Sequence, residues 1–200
     1  QITTTPGIYT YPNTITIGTN PIYINPGTTI TTTPNLGVGN IYCDTTTGIL
    51  NVVTGANNTA IGYQSLNGNS TGTGNVAVGY QSCNSNTSGI SNTAVGYQAL
   101  SGNTYGGTNT GVGYQAGNTG QLIGAVAIGR DSGKTSQGQY AVAVGSHAGQ
   151  TGQGQYATAV GPDAGGNSQG NYAISIGNLA GNNSQGANSI AIGNQAGYGV

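Results

Sequence analysis

Charge is almost missing from this sequence. Its 200 residues include two Lys or Arg, three acidic residues and one His, whereas about a quarter of an ordinary domain is charged. A balance this close to neutral leaves no basic footprint for nucleic acid or for an anionic membrane surface. Glu is absent, and Asp44, Asp131 and Asp163 stand in different contexts. Neither a catalytic carboxylate pair nor a repeated calcium loop can be assembled from them. Cys43 and Cys83 are too few for a disulfide framework and lack zinc-ligand spacing, so no metal or cofactor is expected. No apolar run approaches the roughly 18 residues that cross a bilayer, so no membrane span is expected. Met, Trp and Phe are missing altogether. The chain starts at Gln1 without a visible signal peptide, as a processed chain or a fragment would.

What fills the space is Gly, at 39 residues, with Asn, Thr, Ser and Gln and a regular supply of Ile, Val and Ala. One phrase recurs through them. It reads Thr59-Ala-Ile-Gly62, Val76-Ala-Val-Gly79, Thr93-Ala-Val-Gly96, Thr110-Gly-Val-Gly113 and Val126-Ala-Ile-Gly129. It goes on as Val142-Ala-Val-Gly145, Thr158-Ala-Val-Gly161, Ile174-Ser-Ile-Gly177 and Ile190-Ala-Ile-Gly193. The glycines of these nine copies are spaced by 17 residues three times and then by 16 five times. The residue before each glycine is always Ile or Val: Ile61, Val78, Val95, Val112, Ile128, Val144, Val160, Ile176 and Ile192. Three residues after it comes Ser or Ala, and from Gly117 onward another glycine follows. Substitution confined by size is what stacking of equivalent positions demands.

The phrase alternates with period two and is rich in β-branched residues, which predicts strands. A unit of this length fits one coil of a β-solenoid containing two short strands and two turns. Coils rise about 4.8 Å each, so nine predict a rod of about 43 Å. Each coil is covered by its neighbours, since none can bury its apolar side alone. Neither face of the predicted strand is polar. One carries Ile or Val, the other Ala or Gly, and a strand apolar on both faces is normally buried on both. One face can line the narrow interior; the other calls for self-association, for which symmetric oligomers are the usual outcome.

At Asn188-Ser-Ile-Ala-Ile-Gly193 with Ala196, and at Asn92 to Ala99, the sequence resembles the YadA-like head repeat of trimeric autotransporter adhesins and similar fibre-shaft repeats of phages and large viruses. The resemblance covers residues 57–197. It implies a left-handed parallel β-roll in a homotrimer, displayed outside the cell or on a virion, with adhesion to a host-surface or carbohydrate receptor through the exterior turns. The repeat here is longer than the usual adhesin repeat, so its turns are longer. On this reading the chain is all-β and not an enzyme, with residues 56–200 forming the roll.

Residues 1–55 lack the phrase and are rich in Thr and Pro. Thr14–Ile17, Ile22–Ile24, Thr28–Thr33 and Gly48–Val53 read as short strands punctuated by proline. Solenoid ends need covering, so this segment is expected to be a β cap or docking arm. Head-to-tail joining by strand addition is a further expectation.

Within the array, Tyr63, Tyr80, Tyr97 and Tyr114 follow the glycine, and Tyr140, Tyr156 and Tyr172 precede it by five residues. Stacked coils would turn them into two ladders, either turn-stabilising or a surface-binding stripe for sugars. Gln64, Gln81, Gln98 and Gln115 predict a matching amide ladder. The run Gly129-Arg-Asp-Ser-Gly-Lys-Thr135 imitates a phosphate loop but has three residues between its glycines where the motif needs four. Arg130, Asp131 and Lys134 read as paired turn charges, and His147 as a turn residue. Cys83 falls where Leu66 and Leu100 fall and reads as a small hydrophobe rather than half of a Cys43–Cys83 bridge. Asn57, Asn69, Asn86 and Asn182 head glycosylation-type triplets that so Asn-rich a chain produces by coincidence. The alternative to a fibre is a ligand-binding solenoid for carbohydrate or ice. Against ice, the Thr of the phrase gives way to Val or Ile in five of nine copies.

Overall fold

A computed structural model describes residues 41–43, 50–51 and 57–199, all within one compact unit, Pro34–Val200. The strands expected at Thr14–Ile17, Ile22–Ile24 and Thr28–Thr33 lie outside the described residues.

Every copy of the phrase is a strand. Two strands precede them, β1 (Ile41–Cys43) and β2 (Leu50–Asn51). The repeats supply β3 (Thr59–Ile61), β4 (Val76–Val78), β5 (Thr93–Val95), β6 (Thr110–Val112) and β7 (Val126–Ile128). They continue as β8 (Val142–Val144), β9 (Thr158–Val160), β10 (Ile174–Ile176) and β11 (Ile190–Ile192). From β3 to β11 each strand pairs in parallel with the next, so that Ala60, Ala77 and Ala94 fall in one column and Ala143, Ala159, Ser175 and Ala191 continue it. The nine strands bound eight complete coils, three of 17 residues (62–112) and five of 16 (113–192). The fold is a parallel β-solenoid, and no helix occurs among the described residues.

β1 lies inside the segment expected to form a separate cap, yet it pairs in parallel with β3, Ile41 opposite Thr59. β2, within the expected strand Gly48–Val53, pairs antiparallel with β1 and ends the sheet. The second strand expected in each coil is reduced to a single-residue ladder, running from Gly102 through Thr119, Thr135, Thr151 and Asn167 to Asn183.

The corner after each strand requires glycine. Gly62 has φ +126°, and a Cβ there would sit 2.6 Å from the Gly79 carbonyl oxygen in the next coil. An L side chain fits neither that dihedral nor that gap. Within four residues of the corner, two residues per coil turn left-handed without being glycine in the first coils, such as Gln64 at φ 50° and Leu66 at φ 54°. Such a conformation costs roughly 1–2 kcal/mol. It is held because Gln81 N–H bonds the Tyr63 carbonyl at 2.8 Å and Leu66 N–H bonds the Ser82 carbonyl at 2.9 Å.

The interior is narrow and lined by small residues. Ala60, Ala77 and Ala94 face Leu66, Cys83, Ala99 and Leu100 in one buried cluster; Ala143, Ala148, Ala159 and Ala164 form another. Ser65 keeps its hydroxyl inside by donating to the Ala77 carbonyl at 2.8 Å. Cys83 is a buried free thiol, as its place between the two leucines implied.

Buried amides complete the filling. In the 17-residue coils Asn75 receives the Asn92 N–H on Oδ1 at 2.9 Å and donates to the Gly89 carbonyl at 2.8 Å, and the pattern runs from Asn58 to Asn109. A second column, Asn69 and Asn86, is joined by an amide hydrogen bond of 2.9 Å. In the 16-residue coils Gln137, Gln153, Gln169 and Gln185 are buried instead. Each donates back to a strand carbonyl, Gln153 Nε2 to Val142 at 2.7 Å and Gln169 Nε2 to Thr158 at 2.9 Å. Most interior polar atoms are bonded, as buried polar groups usually are; among the described residues Asn109 Nδ2 and the Oε1 atoms of Gln121, Gln137 and Gln153 have no partner.

Candidate functional site

Each strand puts its middle residue inward and its outer two outward. Ala60, Ala77, Ala94, Ala143 and Ala159 have no exposure at all. The residues predicted to form a roll or oligomer core, Ile61 through Ile192, therefore lie on the exterior, because the strand's inward position holds only small residues, Ala, Ser175 or Gly111. Val95 in mid-array is 37% exposed, and Ile61 and Ile192 near the ends are 50% and 63% exposed. They form an apolar column crossing nine strands without a polar residue. Beside it runs the outward Thr, Val or Ile that opens each strand. A contiguous apolar strip is the surface feature that calls for explanation; a scattered exposed hydrophobe is not.

The two tyrosine ladders are present. The rings of Tyr63, Tyr80, Tyr97 and Tyr114 stack at centroid distances of 5.2, 5.0 and 5.1 Å. On another edge Tyr140, Tyr156 and Tyr172 follow at 5.5 and 5.2 Å. Alongside the first ladder, Gln81 donates to Gln64, Gln98 to Gln81 and Gln115 to Gln98 at 2.7–2.8 Å. Each inner ring has both faces covered by its neighbours. A sugar docks on an aromatic face, so these ladders present ring edges and hydroxyls, which favours the turn-stabilising role.

No known family, curated protein or solved structure matches this chain. Its chemistry has to be read from its own residues.

All charged side chains among the described residues gather in one cluster, where the Gln ladder ends. Asp131, His147 and Asp163 continue the Gln64–Gln115 column, each with φ between 53° and 57°. Lys134 Nζ lies 2.8 Å from Asp131 Oδ1, and Arg130 Nε 3.9 Å from Asp131 Oδ2. His147 sits between the two carboxylates, 3.7 Å from Asp131 and 3.4 Å from Asp163. Arg130 Nη2 is 2.8 Å from His147 Nε2. Guanidinium only donates, so Nε2 accepts, and the imidazole proton belongs on Nδ1, toward Asp163. Ser146 Oγ faces that same Nδ1 at 3.4 Å. The ring nitrogen nearest the hydroxyl is thus the protonated one, and the basic nitrogen is occupied by arginine. Serine activation needs the reverse.

The phosphate-loop imitation takes the shape the repeat dictates. Gly129 is a corner glycine at φ +124°, Gly133 packs under Gln137, and Lys134 is committed to Asp131. Among the described residues no helix follows whose N-terminus could hold a phosphate, and no group of three His, Cys, Asp or Glu is arranged to hold a metal ion. Of the Asn-X-Ser/Thr triplets, Asn69, Asn86 and Asn182 have buried side chains, and Asn57 is exposed.

Three features escape a reading of single copies. The interior amides look like loop residues until Asn58, Asn75, Asn92 and Asn109 are noticed 17 apart and Gln121 to Gln185 are noticed 16 apart. Asp131, His147 and Asp163 carry the same signal, at 16-residue intervals. The direction of the Ala column carried no signal in the alternation, because both faces of the strand are apolar; interior volume decides it.

Proposed function

We propose that this chain is a structural and adhesive module of an extracellular or virion-surface fibre, associating with copies of itself along the Ile/Val strip and not acting as an enzyme. One observation carries the reading. The roll's interior is already filled by Ala, Ser and bonded amides, so the apolar column from Ile61 to Ile192 can be covered only from outside the coil. A like column on a second copy is its natural complement: equally long, equally straight and equally free of charge. Three-fold packing is what the resemblance to YadA-like heads and fibre shafts implies. Two Lys or Arg in 200 residues also leave few sites for trypsin-like proteases, which suits an exposed fibre.

The molar mass of the purified chain in solution tests this directly. A homotrimer is expected. Val95→Lys with Val144→Lys, at outward positions where the roll can keep its fold, is expected to give monomers with unchanged β-rich circular dichroism. A wild-type chain that is monomeric at tens of micromolar overturns the reading.

A further inference from the structure

The step from 17-residue to 16-residue coils leaves a flaw in the stacking. In the first coils the turn peptides pair from rung to rung: Ser70 and Thr71 N–H bond the Thr87 carbonyl, and Thr87 and Ser88 N–H bond that of Thr104. The next coil is one residue shorter, and the N–H groups of Thr104 and Tyr105 find no carbonyl in it. There the surface opens into a cleft of about 550 Å³ lined by Thr104, Tyr105, Leu122, Ile123 and Gln139 among others.

The lining departs from the repeat where stacking would resist departure. Leu122 occupies a column that is glycine in the other coils, from Gly72 and Gly89 to Gly154 and Gly170. A Cβ at Gly89 would meet another atom at 2.2 Å, at Gly138 at 2.6 Å and at Gly170 at 2.5 Å. Apart from the last coil, where Gly186 has open space above it, the opened coil is the one that accepts a side chain there, and it accepts a large one, half exposed. Tyr105 is 76% exposed and belongs to neither ring stack. Its face is free, unlike the inner ladder tyrosines. The side chains of Thr104 and Gln139 make no hydrogen bond to another described residue.

We propose that this cleft binds a neutral saccharide, one hexose ring lying on Tyr105 with Leu122 and Ile123 at its side. The volume lies within the range of small-ligand sites, about 300–1,000 Å³. No lining residue is charged, so an ionic ligand has no counter-charge. A purely apolar ligand would leave the two open N–H groups and the Gln139 amide unpaired. A sugar ring meets both demands. Its C–H face covers an aromatic ring while its hydroxyls accept from the Thr104 and Tyr105 N–H groups and exchange hydrogen bonds with Thr104 Oγ1 and Gln139. This gives the adhesive reading a receptor chemistry, yet the cleft lies within one chain and does not depend on self-association.

The test is saturation-transfer NMR of the full chain with maltotriose, cellotriose and mannotriose at millimolar concentration, followed by titration of the best binder. Transfer to ring C–H protons is expected for at least one. Tyr105→Ala and Leu122→Gly are each expected to weaken binding by about tenfold or more, whereas Tyr97→Ala, in the ladder, leaves it unchanged. Absence of binding by all three sugars overturns the proposal, and so does binding that survives Tyr105→Ala. If Tyr105→Ala instead changes the molar mass of the chain, the cleft is an assembly contact and the proposal fails. A monomeric chain that binds sugar through Tyr105 would sink the fibre reading and leave this one standing.

Discussion

The 17-residue and 16-residue coils build the same interior from different parts. Each 17-residue coil places Leu66, Cys83 or Leu100 beside the Ala column and closes it with two asparagines, as Asn86 and Asn92 do after Cys83. Each 16-residue coil puts glycine where the leucine stood, alanine or Ser189 in place of the second asparagine, and one buried glutamine, as in Gly149, Gln153 and Ala157. The shorter coil drops a residue by passing a left-handed position, such as Gly152 at φ 67° or Ser168 at φ 55°, and turning the next side chain inward. A Cβ on Gly149 would lie 2.7 Å from Gln153 Oε1, so the amide occupies the space that leucine fills elsewhere. Leu100, the last of its kind, is accommodated by glycine at the end of its own coil and on the following one, since a Cβ on Gly111 or on Gly117 would approach it to 2.7 Å. Volume and hydrogen bonding are conserved around the coil while the residues supplying them change.

What the two halves share should be the hardest thing to alter. Gly79 and Gly145 turn the same corner at φ +128° and +130°, and a Cβ on them would lie 2.4 and 2.7 Å from the next coil's carbonyl oxygen. Gly79→Ala and Gly145→Ala are each expected to cost about 4 kcal/mol or more, read from urea unfolding followed by circular dichroism. A mild effect in one half only would show that the corner there can relax, and the halves would then differ in backbone as well as filling.

The thiol of Cys83 belongs to the 17-residue half alone, and burial pushes it from 9.0 up to about 12. The native state therefore holds the thiol proton more tightly than the unfolded chain does. The stability linked to that proton is complete below pH 9 and is lost as pH rises toward 12. At about 1.4 kcal/mol per pH unit the whole loss is about 4 kcal/mol. The stability gap between wild type and Cys83→Ala should shift against the wild type across that window, with tyrosine ionisation common to both proteins. A gap constant from pH 8 to 12 would mean that the thiol is not enclosed by Leu66 and Leu100.

The strands were legible because stacking imposes one size rule per column, and nine copies expose the rule. Thr59-Ala-Ile61 and its equivalents became strands residue for residue. The corner glycines and both tyrosine ladders followed from the same register. The orientation of Ala against Ile was hidden because hydrophobicity does not distinguish them; the width of the interior does. β1 escaped notice because Ile41-Tyr42-Cys43 keeps the β-branched opening of the phrase but carries neither its small middle residue nor its glycine. The cleft was hidden for another reason. Tyr105, Leu122 and Ile123 break the repeat, and a reading built on the repeat passes over what departs from it.

The exchange of leucine for glutamine between the halves can be tried within one coil. Gly149→Leu alone drives a side chain into Gln153 and is expected to cost about 3 kcal/mol as overpacking. Gln153→Ala alone opens the space above Gly149 and removes the donor from the Val142 and Ala157 carbonyls, at about 2 kcal/mol. If the two residues fill one volume, the double variant should be more stable than the summed losses by about 2 kcal/mol, within the range measured for residues in contact. Recovery should stop short of complete, because leucine restores the packing but gives the two carbonyls no hydrogen. In the 17-residue coils the amide that accompanies leucine, Asn69 or Asn103, donates instead to a turn carbonyl, that of Gly72 or Gly106, so leucine there is not paired with a substitute for the glutamine's bonds. Strict additivity in the cycle would mean that Gly149 and Gln153 do not compete for the same space, and the equivalence of the two halves would be one of shape without a common physical cause.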